Sequence, residues 1–182
     1  MFLKMVRCDE RDIDDLLRLQ TEVINQTKDK TVYFDIPKKT FLYYLKQAGI
    51  VIGAYDGNQI VGYAVVVNSV PGENNLRQYI YTDYVENKET VLEIRQIMIL
   101  PEYDNKGIQK RILKEINEIA ETIDADYIVT AIHHHASDMI LKLAGEEYEH
   151  TGNIVINSKY KRRVYVKKMP KSKNSSKEKS NE

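Results

Sequence analysis

A single passage, residues 97–113, constrains the fold more than any other part of the sequence. It moves from an apolar run that stops at Pro101, through a polar turn containing Gly107, into a segment with helical periodicity. The apolar positions of that segment recur at intervals of three and four residues, which defines one buried helix face. They are Ile108, Ile112, Ile116, Ile119, Ala120 and Ile123. The passage therefore predicts a buried strand that turns directly into an amphipathic helix.

The turn before this helix has the features of an anion-binding site. Gly107 allows a ligand to approach the main chain closely, because glycine has no side chain to block the contact. The amides of the first helical turn have no partner within the helix, and the helix dipole places about half a positive charge there. Lys106 and Lys110 add charge nearby. The turn therefore predicts phosphate binding, and a simple turn glycine before an amphipathic helix is the alternative interpretation.

Strand and helix patterns continue along the rest of the chain. Residues 50–55 and 60–67 are apolar runs separated by a turn around Gly57, which predicts an antiparallel hairpin. Further strands are predicted at residues 2–7, 91–100, 127–132, 153–157 and 163–166, the last two as a closing hairpin. Helices are predicted after Asp9, after Pro37, over residues 108–123 and over residues 139–144. With a long loop at residues 68–90, this order predicts an α/β (α+β) fold with a mixed sheet and helices on its faces.

Composition limits the number of domains and the cellular setting. The chain has 182 residues, 42% of them hydrophobic, which predicts one domain at residues 1–169 and a disordered Lys/Ser-rich tail at residues 170–182. Basic and acidic residues balance at 27 each, so no overall field attracts nucleic acid or an anionic membrane. Cys8 is the only cysteine, and no segment approaches the roughly 20 apolar residues of a membrane helix. We therefore expect a cytoplasmic protein without membrane contact.

The strand and turn at residues 91–113 resemble the signature of the GCN5-related N-acetyltransferase (GNAT) superfamily. In that family an apolar strand leads through proline into Gln/Arg-x-x-Gly-x-Gly/Ala, and here Pro101 and Gly107 hold matching positions. The order of elements also resembles the family over about residues 2–168. The resemblance implies a mixed, mostly antiparallel twisted sheet with helices on both faces. It also implies direct transfer of an acetyl group from acetyl-coenzyme A to a primary amine.

The resemblance assigns the cofactor site to this strand and turn. The turn amides would hold the coenzyme A pyrophosphate, and the preceding strand would align the pantetheine arm. The implied cofactor-binding residues are Ile97, Met98, Ile99, Asn105, Lys106, Gly107, Ile108, Gln109 and Lys110. His134 joins them, because it stands where the family often has an asparagine that contacts the cofactor. Asp104 replaces the usual Gln or Arg, and Gln109 replaces a small residue.

Glu93 is the candidate catalytic base that would take a proton from the attacking amine. It lies on the strand before the cofactor motif, in the class of positions where the family has a carboxylate that acts directly or through water. Strand alternation places Arg95 and Ile97 on the same face, and Arg95 could neutralise the carboxylate instead. A structural ion pair is therefore the alternative interpretation. The proton donor is unassigned, since Leu141 occupies the position of the family tyrosine, with water or Tyr148 as candidates.

The acceptor and the assembly state are not encoded in a motif. Tyr33, Phe34, Tyr43 and Tyr44 lie in the region that often walls the acceptor site in this family, although core packing also explains such rings. We expect a small-molecule or protein amine as acceptor, and the final strand could pair with a second copy to form a homodimer. The alternative function is a noncatalytic acyl-coenzyme A-binding or interaction module, because Asp104, Gln109 and Leu141 depart from the family pattern.

Two further groups of residues invite other functions. His133, His134 and His135 are consecutive, but adjacent side chains rarely point together and no cysteine or helical Glu-x-x-His completes a site, so we expect no metal. Residues 159–171 are rich in lysine and arginine and could touch RNA phosphates. Lysines that protect an edge strand explain this cluster without nucleic acid, so RNA binding is the weaker hypothesis.

Overall fold

The described part of the chain folds around one seven-stranded sheet. The computed structural model describes residues 3–69, 76–80, 89–134, 136, 139, 143, 145–156 and 158–171. The strands are β1 (Leu3–Arg7), β2 (Gly49–Asp56), β3 (Gln59–Asn68), β4 (Val91–Ile99), β5 (Tyr127–His133), β6 (Glu149–Ile156) and β7 (Tyr160–Lys168). The helices are α1 (Ile13–Gln26), α2 (Lys38–Tyr43) and α3 (Ile108–Thr122). Short helical turns lie at Glu10–Asp12, Tyr44–Ala48, Leu76–Tyr79 and Pro101–Tyr103.

The sheet is antiparallel at every pair except one. Its spatial order is β1-β2-β3-β4-β5-β7-β6, and the parallel pair is β4 with β5. The connection between these two strands contains α3, as a crossover between parallel strands requires. The predicted mixed, mostly antiparallel sheet is therefore confirmed. None of the helices in the described ranges is long and apolar enough to cross a membrane.

Two neighbouring residues of β3 show that helices cover both faces of the sheet. A Cβ atom at Gly62 would come within 3.3 Å of Ile108 Cγ2, so this position lies directly under α3. The next residue, Tyr63, is fully buried and packs its ring against Phe41 of α2 at a centroid distance of 5.5 Å. Because successive strand residues point to opposite faces, α3 and α2 cover different faces.

Local sequence signals account for the ends of the early elements. The Asp9 carboxylate accepts a hydrogen bond from the Arg11 amide, and the Asp12 carboxylate accepts one from the Asp9 amide, which forms a capping box before α1. Gly57 has a φ of 60° in the tight turn between β2 and β3, so the predicted hairpin is confirmed. Pro37 is the residue directly before α2, which begins at Lys38.

The predicted closing hairpin is confirmed as β6 and β7, but its place in the sheet differs from expectation. β7 is paired on both sides, with β5 and with β6, so the edge strands of this sheet are β1 and β6. The basic residues of β7 therefore do not protect an edge, and β7 is not available to pair with a second copy. Most of the predicted helix at residues 139–144 and the tail at residues 172–182 lie outside the described residues.

Candidate active site

The parallel strands β4 and β5 separate along part of their length. Their main chains pair from Val91 with Tyr127 to Ile94 with Thr130, although β4 continues to Ile99. A cavity of about 300 Å³ lies at this opening, and we call it the seam cavity. Its walls include Arg95, Gln96 and Ile97 from β4 and Thr130, Ala131 and Ile132 from β5. The opening lies at the carboxyl ends of parallel strands, where ligands of α/β sheets commonly bind.

A bulge in β4 decides which of its side chains share a face. The ladder between β3 and β4 shifts register by one residue at Arg95. Such a bulge inverts the inward and outward alternation of the strand beyond it. Glu93 therefore shares a face with Gln96 and not with Ile97. The predicted common face for Glu93 and Ile97 is wrong, because strict alternation does not hold across the extra residue.

The turn between β4 and α3 exposes main-chain amides. Asn105 and Gly107 both have positive φ values, 61° and 77°. A Cβ atom at Gly107 would meet no atom within 4 Å, so the space in front of this residue is open. The first helical hydrogen bond runs from the Arg111 amide to the Gly107 carbonyl at 3.2 Å. The amides of residues 108–110 therefore have no helical acceptor and can bind an anion.

The structure divides the predicted cofactor residues into two groups. Those that line the seam cavity are Ile97, Ile99, Asn105 and Gln109. The others on this strand and turn are Met98, Lys106, Gly107, Ile108 and Lys110, whose side chains are not part of the lining. Met98 is fully buried, with its sulfur 3.2 Å from the Tyr63 hydroxyl, so only its main chain could contact a ligand.

Two of the three departures from the family pattern, Asp104 and Gln109, lie at the cavity wall, and the third, Leu141, lies outside the described residues. Gln109 is buried, and its side-chain nitrogen contacts the sulfur of Met139, so it fills space that a small residue would leave open. Asp104 also lines the cavity. Burial raises the pKa of Tyr33, and the negative charge of Asp104 raises it further, so this phenol stays protonated. Tyr148, the side chain that the sequence offered as a candidate proton donor, is buried in the main core and does not line the cavity.

Glu93 is buried beside the seam cavity and is not among its lining residues. Its Oε1 lies 3.1 Å from Nη1 of Arg95, and its side chain is only 3% exposed. By hydrogen-bond geometry, its Oε2 has no donor among the described residues. Burial raises the pKa of Glu93 above its ordinary value, and the positive charge of Arg95 offsets part of this rise. A carboxylate in this state is a stronger proton acceptor than an exposed glutamate.

His133 lines the seam cavity, although sequence reasoning selected its neighbour His134. His133 is buried at the end of β5, with its Nε2 3.1 Å from Thr31 Oγ1 and 3.6 Å from Asp29 Oδ2. The His134 ring packs against it at a centroid distance of 4.5 Å. The position of His133 at the carboxyl end of a parallel strand was the signal that could have found it. No cluster of three or more metal-ligating side chains occurs in the part of the chain that the structure describes.

Arg162 of β7 also lines the cavity, and sequence reasoning treated it only as part of a basic cluster. It is directly opposite His133 in the ladder between β5 and β7. Its Nη2 donates hydrogen bonds to the carbonyls of Thr31 and Val32 at 2.7 and 3.1 Å. His133 and Arg162 therefore both hold the segment between α1 and α2 against the cavity.

The predicted aromatic wall is present in part. Tyr33 and Phe34 line the seam cavity, whereas Tyr43 is 54% exposed and Tyr44 packs against the main core. The Phe34 ring lies 4.6 Å from the Arg162 guanidinium carbon, an arrangement typical of a cation–π contact. Two of the four rings therefore belong to the candidate site.

The open parallel strand pair lies beside an exposed amide turn, and comparison with known families identifies the class of protein that has this arrangement. The sequence matches the acetyltransferase (GNAT) family over residues 11–143. The chain belongs to this family of acyltransferases, which confirms the resemblance. No protein with a curated description matches the sequence significantly.

Several solved structures share the fold at low sequence identity. NAA60 from Arabidopsis thaliana, in complex with a bisubstrate analogue, has a TM-score of 0.75 and 12% identity over 94% of this chain and 100% of that chain. The PaiA N-acetyltransferase from Thermoplasma acidophilum, in complex with coenzyme A, has a TM-score of 0.69 and 15% identity over 92% and 99%. The ribosomal-protein-S18-alanine N-acetyltransferase from Escherichia coli has a TM-score of 0.69 and 8% identity over 95% and 97%.

Proposed function

We propose that this chain is an N-acetyltransferase that passes the acetyl group of acetyl-coenzyme A to a primary amine by direct attack. The observation that carries the proposal is the seam cavity, which opens between β4 and β5 next to the amide turn before α3. Membership of the GNAT family supports acyl transfer. The complexes of PaiA with coenzyme A and of Arabidopsis NAA60 with acetyl-coenzyme A support this donor.

The residues present fit coenzyme A. The amides of residues 108–110 and the open space at Gly107 suit a diphosphate, which needs several donors and close contact with the main chain. The stretch of β4 beyond Ile94 is not paired with β5, so it can align an extended arm as a neighbouring strand would. Gln109 stands in this space, and a rotation of its side chain away from Met139 would clear it.

Two side chains would carry out the proton transfers, one from the attacking amine and one to the leaving thiolate. Acetyl-coenzyme A would supply an acetyl group already activated as a thioester. We assign Glu93 as the base, and because it lies beside the cavity it would accept the proton of the amine through a water molecule. We assign the Tyr33 phenol, which lines the cavity and stays protonated, as the proton donor to the leaving group. Location in the cytoplasm and a single domain at residues 1–169 stay predictions.

A thermal-shift titration with acetyl-coenzyme A tests donor binding. Ligand at about 100 times its dissociation constant should raise the free energy of unfolding by about 2.7 kcal/mol. Gly107→Glu should abolish this response, because a carboxylate would enter the open space in front of the amides. Gly57→Glu is the matched control, since Gly57 also has positive φ and open space around its Cβ position but lies in the β2–β3 turn, outside residues 105–110. Equal thermal shifts in the two variants would contradict the assignment of the turn before α3 as the diphosphate site.

Thiol release measured against a panel of primary amines separates the enzyme from the alternative, a noncatalytic acyl-coenzyme A-binding module. The alternative is favoured by Asp104 and Gln109 at the cavity wall. The enzyme releases thiol only when an amine is present and yields acetylated amine in equal amount. Donor binding without amine-dependent release would establish the binding module instead.

A further inference from the structure

Arg162 is a buried cation at the wall of the seam cavity, and no carboxylate within the described ranges is paired to it. The residue as a whole is only 2% exposed to solvent. The groups that accept its hydrogen bonds are all main-chain carbonyls, those of Lys161, Thr31 and Val32. Among the described residues, no carboxylate lies within ion-pair distance of it. Arg162 is therefore held directly by main-chain carbonyls and not by a carboxylate in contact with it.

A buried charge in this state is costly without an anion. Arginine is almost never fully buried unless it is paired, because removal of a guanidinium from water costs several kcal/mol after relaxation. Burial lowers the pKa of Arg162, which is the direction expected for a cation that lacks a close counter-charge. The Tyr160 and Asp29 side chains partly offset this effect, and the Asp29 carboxylate also lies 3.6 Å from His133 Nε2. The cavity wall at Arg162 is thus suited to an incoming anion.

The guanidinium is also held rigidly and still has donors to offer. It carries five N–H groups, and the three hydrogen bonds to carbonyls leave two of them for another acceptor. The Phe34 and Tyr160 rings lie 4.6 and 5.5 Å from its central carbon. The charge of a guanidinium held in this way is suited to attract a carboxylate and to donate a charge-assisted hydrogen bond to it.

We propose that Arg162 binds a carboxylate of the acceptor, so that the acceptor is a small primary amine that carries a carboxylate, such as a free amino acid. This inference rests on the proposed acetyltransferase function and specifies its substrate class. A cavity of about 300 Å³ has to hold both the acceptor and the reactive end of the donor, which favours a small acceptor. Arg162 is a specificity-determining residue in this proposal, and the proton transfers remain with Glu93 and Tyr33.

The test compares each free amino acid with its primary amide, which keeps the amine and side chain but removes the negative charge. Rates are expressed per neutral amine, because the amide is the weaker base. For the wild-type protein, kcat/KM should be higher for the acid than for the amide by roughly 30-fold or more. This is the effect expected when one partner of a buried charge pair is removed, as it is in the amide. Arg162→Gln should raise the KM of the acid until kcat/KM is about equal for acid and amide. Equal use of acid and amide by the wild-type protein overturns the proposal.

Three controls keep the result interpretable. Arg163→Gln removes the same charge from the next residue of β7, which faces the other side of the sheet, and should keep the acid preference. Arg162→Lys keeps the charge but loses the forked donor geometry, so it should retain part of the preference even if Arg162→Gln does not fold. 2-Aminoethyl phosphate completes the panel, and a preference for it over amino acids overturns the carboxylate assignment.

A binding measurement separates this inference from the proposed function. Calorimetric titration of amino acid and amide into the protein with coenzyme A present measures recognition without transfer. Binding that needs both the carboxylate and Arg162, together with no acetylated product in the separate assay with acetyl-coenzyme A, supports this inference and contradicts the proposed function. Acetyl transfer without any preference for the acid contradicts this inference and leaves the proposed function standing.

Discussion

The two sides of the seam cavity are built in different ways. On the proposed donor side, the binding groups are main-chain amides from one short turn, residues 105–110, at the end of β4. On the proposed acceptor side, they are side chains from several elements, and Arg162 contacts a carbonyl 131 residues away in sequence. A main-chain site tolerates changes of side chain as long as none blocks it. A site made of distant side chains depends on every contact that holds them in place.

Glu93→Gln should have the largest effect of the substitutions considered. It should lower kcat without weakening donor binding, which would separate proton transfer from the proposed donor side. Loss of a general base should lower kcat by about 10²- to 10⁴-fold, because the amine then lacks a proton acceptor. The dissociation constant of acetyl-coenzyme A should change little. Glu121→Gln, an exposed change on α3, is the control and should keep full activity. A kcat for Glu93→Gln close to that of the control would contradict the assignment of the base.

The pH dependence of the free energy of unfolding of Glu93→Gln provides a second test of this residue. Burial raises the pKa of Glu93 in the folded state above 4.5, so the folded protein holds the proton more tightly than the unfolded chain. The stability that this proton contributes is fully present below 4.5 and is lost as pH rises through the raised pKa. Glu93→Gln lacks this loss, so its free energy of unfolding relative to wild type should increase with pH. Urea unfolding across this range checks the sign, and a pH-independent difference would contradict it.

Gln20→Ala should have an intermediate effect, mainly on the acceptor side. Gln20 is buried in α1, where its side chain donates to Asp35 and to the Ile36 carbonyl and accepts from the Ile36 amide at 3.0 Å. Loss of these bonds should lower the free energy of unfolding by about 1–3 kcal/mol. The KM of the acceptor should rise more than that of acetyl-coenzyme A. Gln26→Ala, exposed at the end of the same helix, is the control, and equal changes in both KM values would argue against two separate sides.

Gln109→Ala should have the smallest effect and would sharpen the view of the donor side. In the proposed donor site, Gln109 leaves its contact with Met139 when the donor binds and is ordered in a new position. Ordering one such side chain costs about 0.5–1.5 kcal/mol. Its removal should lower the dissociation constant of acetyl-coenzyme A by roughly 2- to 10-fold. Calorimetric titration measures this change, with the exposed Lys114→Ala on α3 as control. Weaker binding in Gln109→Ala would mean that this side chain holds the donor.

Sequence reasoning succeeded where a signal was contained in a few neighbouring residues. The turn glycine Gly57 between two apolar runs, and the apolar stripe of α3 after Gly107, each depend on contacts or dihedral angles within one element. It failed at Arg95, because one extra residue in β4 inverts the alternation from which the face of Ile97 was predicted. It also failed for β7, because strand order depends on which long-range pairing is favoured and not on local pattern.

By itself, the sequence determined the strand, turn and helix that form the proposed donor side, because backbone geometry at Gly107 and helical periodicity are local properties. It also determined the family through that motif. Only the tertiary structure decided that β4 and β5 separate after Ile94, that β7 enters the sheet between β5 and β6, and that His133 and Arg162 meet at one cavity. Those features arise from contacts between residues far apart in the chain, and no local pattern records them.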